Sequence, residues 1–290
     1  MAVRRGSERS AAREARRRTR AANKLASQGV EGTPHLSLLR APRQVRAGRA
    51  LAGRIVVATY NVHRWTGLNG RSRPDPARAG FVISELDADL IALQEVLRPF
   101  AGEDPLERLA EALGLHVTFA TTRVHKRGEI GNAILSRWPI AGVSMLDLSY
   151  SRLEKRVAIA VQLRDGRGEL DVVSTHLALA DRTRHRQVRS LLEHPRLRET
   201  PTVIMGDMNA WRKCKATRAL DEELHSHHND EWPASFPSAG PVLALDRIYA
   251  RGARIAEIGV HASRAAKRAS DHLPVVAQVE LGVAAPAPGH

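Results

Sequence analysis

RIVVATYN (54–61) and DLIALQE (89–95) decide how this chain folds. Each is a run of aliphatic and β-branched residues, too short for a helix and bounded by polar turns, as expected of a strand buried on both faces. Each ends on a side chain that such a run has no structural need to carry: Asn61 in the first, Glu95 in the second. The construction recurs. LDVVSTH (170–176) ends in His176, and TVIMGD (202–207) ends in Asp207, two residues before Asn209. ALDRIYA (244–250) carries Asp246 near its start, and Asp271 and His272 stand at the start of LPVVAQVEL (273–281). In antiparallel pairing, the end of one strand and the start of its neighbour share an edge. The order of the chain therefore permits all these tips to converge.

Further strands are expected at 115–121, 132–136, 156–163 and 254–260. Ala79, Val82, Ile83 and Leu86, at i, i+3, i+4 and i+7, predict an amphipathic helix over 77–87. The stretch 104–114 reads as a capped helix, with Asp104 as N-cap, Pro105 in the first turn, Glu107 three residues after the cap and Gly114 as the stop. A basic helix is expected over 181–193 with Val188, Leu191 and Leu192 inward, and a short helix over 214–224. Strands outnumber helices and several follow one another through short turns. That pattern predicts mixed or antiparallel sheets flanked by helices, not a doubly wound parallel sheet. No glycine-rich phosphate loop and no internal repeat is present.

With 290 residues, 43% of them hydrophobic, the chain can bury a large core. No run approaches the ~20 apolar residues of a membrane span. The arginines at the N-terminus are followed by no apolar h-region, so a secretory signal is not expected. The single cysteine, Cys214, excludes an internal disulfide and a cysteine-based zinc site. A reducing, cytoplasmic setting is the expectation.

The net charge of +14 is uneven: residues 1–54 hold 14 of the 45 Lys and Arg but 3 of the 31 Asp and Glu, a net of +11, and the rest of the chain carries +3. The domains are therefore read as a disordered basic extension (1–53), a body (54–281) and a disordered Ala/Pro-rich tail (282–290). Three readings of the extension stand: a polyanion-binding tail through Arg16, Arg17, Arg18 and Arg20, a transit peptide, or a solvated extension without a role.

Glu95, Asp207 and Asp271 are hard oxygen donors, and Asn61 and Asn209 add neutral oxygens. Few carboxylates with amide helpers suit Mg²⁺ or Mn²⁺, which keep waters and accept phosphate oxygens as ligands. The histidines are then left for proton transfer, and a His beside an Asp is oriented by it and made more basic. Taken singly, each signature has a bland reading: a Gly-Asp turn, an Asn cap, a Glu marking the return to solvent. Their joint occurrence points to one site. His63, His125 and His185 stand outside the signatures, and His225, His227 and His228 read as a solvated loop.

In the order ATYN, ALQE, STHL, GDMN, LDRIY and SDH, the set resembles the endonuclease/exonuclease/phosphatase superfamily over about residues 54–281. The resemblance implies a four-layer α/β sandwich of the DNase I type: two mainly antiparallel central sheets face to face, with helices outside. It also implies a Mg²⁺-dependent (or Mn²⁺-dependent) phosphoester hydrolase in which water attacks phosphorus. Carried over residue by residue, Glu95 becomes the principal metal ligand, with Asn61 beside it and Asp271 in the metal shell. Asp207 and Asn209 orient the water and hold phosphate or a second metal. His272 becomes the general base with Asp246 orienting it, His176 the second catalytic histidine, and Arg156 a phosphate contact.

The first two motifs read YNVH and QEVL, unlike abasic-site endonucleases of the exonuclease III type, and the set is most similar to small bacterial members of the superfamily. The expected substrate is nucleic acid, DNA or RNA. The alternative is a phospholipid or inositol phosphate at an anionic membrane surface, and a non-catalytic binding protein stands third. A monomer is expected.

Overall fold

Alternate residues of the central strands face different cores. Ile55, Val57, Leu90 and Ala92 point to one, while Ala58, Tyr60, Ile91 and Leu93 point to another. Val172, Val203 and Met205 join the first, whereas Val173 and Ile204 belong to a third. Period-two alternation between two apolar environments requires a sheet covered on both faces. Three cores stacked in this way make four layers: helix, sheet, sheet, helix.

The computed structural model describes residues 34–150, 154–194, 200–224 and 231–282. In chain order the elements are β1 (His35–Arg40), β2 (Gly53–Asn61), α1 (Pro76–Glu85), β3 (Leu90–Pro99), α2 (Pro105–Leu113), β4 (His116–His125), β5 (Gly128–Ser136), β6 (Ile140–Asp147), β7 (Val157–Arg164), β8 (Glu169–His176), α3 (Asp181–Leu192), β9 (Thr202–Asp207), α4 (Lys215–Glu223), β10 (Asp246–Arg251), β11 (Ala253–Val260), the single turn α5 (Ala266–Ala269) and β12 (Val275–Leu281). One sheet runs β1-β4-β5-β3-β2-β12-β11 and the other β10-β9-β8-β7-β6. Each contains a single parallel pair, β2 with β3 and β8 with β9, and is otherwise antiparallel. This is the sandwich that the family resemblance implies, and the residue pattern alone predicts its flanked, mainly antiparallel sheets. The caps are also where the sequence places them: Asp104 accepts from the amides of Leu106 and Glu107, and Gly114 turns left-handed to end α2.

Two expectations are corrected and one strand was not expected. The ordered body begins well before Arg54: His35–Arg40 forms β1 on the edge of the larger sheet, paired with β4, and Leu51 is buried. This strand was hidden because Gly29, Gly32, Pro34 and Pro42 flank it and read as a loop, and the arginines around it read as a tail. Strand β6, also an edge, is half-buried along most of its length and carries no strong apolar run. Finally, Glu95 does not end its strand. β3 runs on to Pro99, and its register on β5 steps from Leu93–Ala133 to Val96–Gly131, so Gln94 and Glu95 together oppose Asn132 in a β-bulge. The arginine cluster Arg16–Arg20, the His225, His227 and His228 group and residues 283–290 lie outside the described residues.

Candidate active site

Sheet topology brings the polar tips to one place. β8 and β9 are parallel neighbours, so His176 lies opposite Asp207. β10 runs antiparallel to β9, so its first residue, Asp246, pairs with the last of β9, Asp207. In the larger sheet Asn61 ends β2, and β12, antiparallel to β2, begins opposite Thr59, so Ser270, Asp271 and His272 arrive at the same edge. The two sheets are then joined by side chains. Asn61 Nδ2 donates to Asp207 Oδ2 at 3.1 Å, and deeper between the sheets Gln94 Nε2 donates to Ser174 Oγ at 3.4 Å.

Gly206 is what lets β9 lie against β8 and set Asp207 beside His176, because a β-carbon there would lie 1.9 Å from the Thr175 carbonyl oxygen. Ser270 Oγ donates to the Asn61 carbonyl at 2.6 Å and fixes the loop that carries Asp271 and His272.

The centre of the site is a buried chain of four titratable groups. His272 Nδ1 lies 2.7 Å from Asp246 Oδ2, which also accepts from Ser235 Oγ at 2.6 Å. With Nδ1 facing a carboxylate, the proton on that nitrogen is fixed and Nε2 is left for chemistry. Nε2 faces Asp207 Oδ2 at 3.7 Å, and His176 Nε2 approaches the same oxygen at 3.4 Å. Asp207 Oδ1 accepts the Asn209 amide at 2.9 Å, and Asn209 Nδ2 donates to the Leu177 carbonyl at 2.9 Å.

The electrostatics separate the two histidines. Burial opposes the charge on His272, but Asp246, Asp207 and Asp271 outweigh it and push its pKa up to about 10. His176 is held well below the usual range by burial, with the cations Arg156, His272 and Arg123 adding to the effect. It is therefore a neutral imidazole at pH 7. Burial pushes Asp207 up to about 6; His272 opposes that shift and Asp246 adds to it.

The mouth of the site holds the remaining predicted residues. Glu95 has φ +52°, a left-handed backbone forced on it by the bulge, and its carboxylate faces Arg64 Nε at 3.3 Å. Asp271 Oδ1 lies 3.1 Å from His63 Nδ1. Burial would raise the Asp271 pKa, but the hydrogen bond from His63 and the charges of His272 and His63 leave it lowered. Arg156 lies just before β7, at the level of His176, and its Nη2 donates to Glu154 Oε1 at 3.0 Å. Burial lowers its pKa, against the fields of Glu154, Asp207 and Glu95.

Two sets of donors suit a cation. Asp207, Asp246 and His272 bring one ligand atom each to within 4.8 Å of one another. Asp246 Oδ2 and His272 Nδ1 are committed to each other at 2.7 Å, which leaves Asp246 Oδ1, buried without a partner, and His272 Nε2 as the atoms this set could offer. Glu95, Asn61 and Asp271 offer oxygens only; Glu95 is ion-paired with Arg64, and Asn61 Oδ1 accepts the His63 amide at 3.0 Å. That set matches the needs of Mg²⁺ or Mn²⁺ better.

All the predicted site residues within the described chain thus gather at one edge of the sandwich. Sequence reasoning missed four others. His63 and Arg64 face Asp271 and Glu95. Arg184, from the helix read as basic with only Val188, Leu191 and Leu192 inward, is 1% exposed; its Nη1 donates to the carbonyls of Ala178 (2.9 Å), Leu179 (3.0 Å) and Asn209 (2.7 Å), and its Nη2 pairs with Asp181. Gln187, one turn on, accepts from the Ala178 amide and donates to the Leu148 carbonyl, both at 2.8 Å. Arg184 and Gln187 stand at i, i+3, a spacing that marks a helix face, but their polarity concealed that the face is inward.

A profile of the Endonuclease/Exonuclease/phosphatase family matches residues 58–272. The chain is 30% identical over 254 residues to the uncharacterized protein YbhP of Escherichia coli K12, covering 78% of this chain and 96% of that protein. Among solved structures it is similar to an endonuclease/exonuclease/phosphatase from Beutenbergia cavernae, at 25% identity and TM-score 0.63, covering 80% of this chain and 72% of that one. The fold is shared with D. rerio TDP2, solved with a single-strand DNA product, at 15% identity and TM-score 0.58, covering 78% of this chain and 99% of that one.

Proposed function

We propose, for a chain that belongs to the endonuclease/exonuclease/phosphatase family, that it is a Mg²⁺-dependent phosphodiesterase that cleaves nucleic acid by attack of water on phosphorus. Members of this family are in general divalent-metal-dependent hydrolases of phosphoester bonds. The observation that carries the reading is the buried pair of His272 and Asp246, hydrogen-bonded at 2.7 Å, with the second imidazole nitrogen turned to Asp207.

In this reading His272 Nε2 takes the proton of the attacking water and Asp246 holds the tautomer. Asp207 and Asn209 hold that water in line. His176, neutral and buried, donates to a phosphoryl oxygen or to the leaving oxygen, and Arg156 balances the charge that develops there. Glu95, Asn61 and Asp271 are the residues that would hold the cation. When bound, it supplies charge neutralisation at the phosphoryl oxygens and offsets the carboxylate field on His272.

Nucleic acid is supported by the DNA product bound to the TDP2 of like fold. A second reading, a phospholipid or inositol phosphate at an anionic surface, is favoured by a different observation. Leu179, Trp211 and Val242 are 57%, 49% and 75% exposed on loops that leave β8 and β9 or enter β10 at the site's edge. Exposed apolar groups around a site suit an interface. No described helix is long and apolar enough to cross a membrane. In either reading the chain is taken as a monomer in a reducing, cytoplasmic compartment, where the free, buried Cys214 would stay a thiol.

The test is hydrolysis of supercoiled plasmid, an activated phosphodiester, a phosphomonoester and phospholipid vesicles, with Mg²⁺ and with chelator, by wild type and His272→Ala. Plasmid nicking that needs Mg²⁺ and falls about 10²–10⁴-fold in His272→Ala is the expected result. Turnover of lipid with intact plasmid would replace nucleic acid by the second reading. No turnover of any ester would refute the enzyme reading.

A further inference from the structure

His63, Arg64 and Trp65 have φ of 45°, 56° and 62°, three successive left-handed residues with no glycine among them. Each such residue costs roughly 1–2 kcal/mol, and they persist only where the surroundings over-determine them. Both ends of this turn are pinned. The Val62 amide donates to the Gln94 carbonyl at 3.0 Å, beside the bulge that carries Glu95. The buried Trp65 donates through Nε1 to the Leu97 carbonyl at 2.8 Å, and its own carbonyl accepts the Asp75 amide at 2.7 Å.

The strained turn presents two nitrogen-bearing side chains to the two carboxylates at the mouth: His63 Nδ1 is 3.1 Å from Asp271 Oδ1, and Arg64 Nε is 3.3 Å from Glu95 Oε2. The second contact is one of charge alone, since Arg64 Nε is shut off from solvent yet has no hydrogen-bond partner. The returning loop makes room for both side chains with a glycine. A β-carbon at Gly70 would lie 2.8 Å from His63 Nε2 and 2.9 Å from Arg64 Nη2.

A guanidinium in loose charge contact with a carboxylate is poised to exchange partners. Its planar fork matches phosphate oxygens, and a divalent cation on the same carboxylate repels it. We propose that Arg64, with His63 beside it, is a phosphate-binding element that a divalent cation releases: Arg64 rests on Glu95 until the cation takes that carboxylate, then turns to the non-bridging oxygens of the phosphate. This rests on the phosphoester-hydrolase reading and adds a specificity residue to it. It also makes the cation and the phosphate cooperative, because each relieves the other's competitor.

The two affinities therefore move in opposite directions when Arg64 is removed, whereas loss of a merely structural side chain weakens both. Calorimetry reads them separately: Mn²⁺ titrated into wild type, Arg64→Ala and Arg64→Asn, then inorganic phosphate titrated into the Mn²⁺-saturated proteins. Asn tolerates a left-handed backbone, so Arg64→Asn removes the charge without a folding penalty. In both variants Mn²⁺ is expected to bind several-fold more tightly and phosphate about tenfold more weakly. Mn²⁺ affinity that is unchanged or weaker, or phosphate affinity that is unchanged, would overturn the proposal. Hydrolysis of an activated phosphodiester by wild type is measured alongside. Unmoved affinities in an active enzyme sink the exchange alone. Affinities that move as expected in a protein without turnover sink the hydrolase reading and leave a cation-coupled phosphate site.

Discussion

Replacing Glu95 by glycine should relieve backbone strain while destroying the site, and the structure gives the size of the effect. Glu95 has φ +52° in the bulge of β3. A left-handed non-glycine residue costs roughly 1–2 kcal/mol. Glycine removes that strain but loses about 0.4–1 kcal/mol through its freer unfolded chain. Against Glu95→Ala, which keeps the strain and likewise lacks the Arg64 ion pair, Glu95→Gly should therefore be more stable by about 0.5–1 kcal/mol. Against wild type the gain is smaller by the worth of a partly exposed ion pair, about 0–1 kcal/mol.

The assay is urea unfolding in chelator, where 1 kcal/mol moves the midpoint by about 0.3–0.5 M at a slope of about 2–3 kcal/mol/M. In Mg²⁺ the order should invert. Wild type gains about 2.7 kcal/mol at a hundredfold excess over its dissociation constant, and variants that cannot bind gain nothing. Glu95→Ala as stable as Glu95→Gly in chelator would refute the strain argument. Persistence of the chelator order in Mg²⁺ would refute Glu95 as a metal ligand.

Glu95→Gln should chiefly weaken metal affinity, so excess Mg²⁺ partly restores turnover; a loss that no Mg²⁺ concentration rescues would assign Glu95 another role. Arg184→Met leaves the carbonyls of Ala178, Leu179 and Asn209 without their donor. The expected cost is about 3–5 kcal/mol, read as a thermal midpoint lowered by roughly 10 °C, and an unchanged midpoint would contradict the clamp. Ile159→Ala, between the sheets, should cost about 2–5 kcal/mol with an unchanged urea slope. Burial lowers the pKa of His116. The unfolded chain therefore binds its proton first, and the stability that the neutral ring contributes is present above the ordinary histidine pKa and lost as pH falls below it. His116→Gln should flatten the decline in stability from pH 7 to pH 5; an unaltered slope would place the acid sensitivity elsewhere.

The buried strands were legible because burial on both faces leaves an unbroken apolar run, and a polar residue at its tip then has no packing explanation. That reasoning found Asn61, His176, Asp207 and Asp246, and also Glu95, though Glu95 occupies a bulge and not a strand end. Nothing in ALQEVLRP signals a bulge, because it holds no glycine and its apolar residues fit a continuous strand. The left-handed turn at NVHRW was illegible for a related reason: it contains no glycine, and tertiary contacts alone impose its conformation. Arg184 escaped notice because composition assigns arginine to water, whereas here three carbonyls and Asp181 replace the water. The edge strands β1 and β6 were missed because Pro34, Pro42 and Pro139 adjoin them and read as loop, and Gly142 and Ser144 break the apolar run of β6.

The second sheet is inserted into the first. Strands β1 to β5 form most of the larger sheet, β6 to β10 make the whole of the smaller one, and β11 and β12 then return to complete the larger. β12 slots in beside β2, joining Arg54 to Gln278 across 224 residues. On a ribosome adding about 5–20 residues per second, β2 waits roughly 10–45 s for that partner. During this interval a central strand has an open, apolar edge, the kind of surface that chaperones cover and aggregates recruit. Asp207 and Asp246 are synthesised before the gap closes, but His272 is delivered by the segment that closes it. A nascent chain stalled before β12 therefore lacks the proposed base, and activity would begin only with the final seam of the larger sheet.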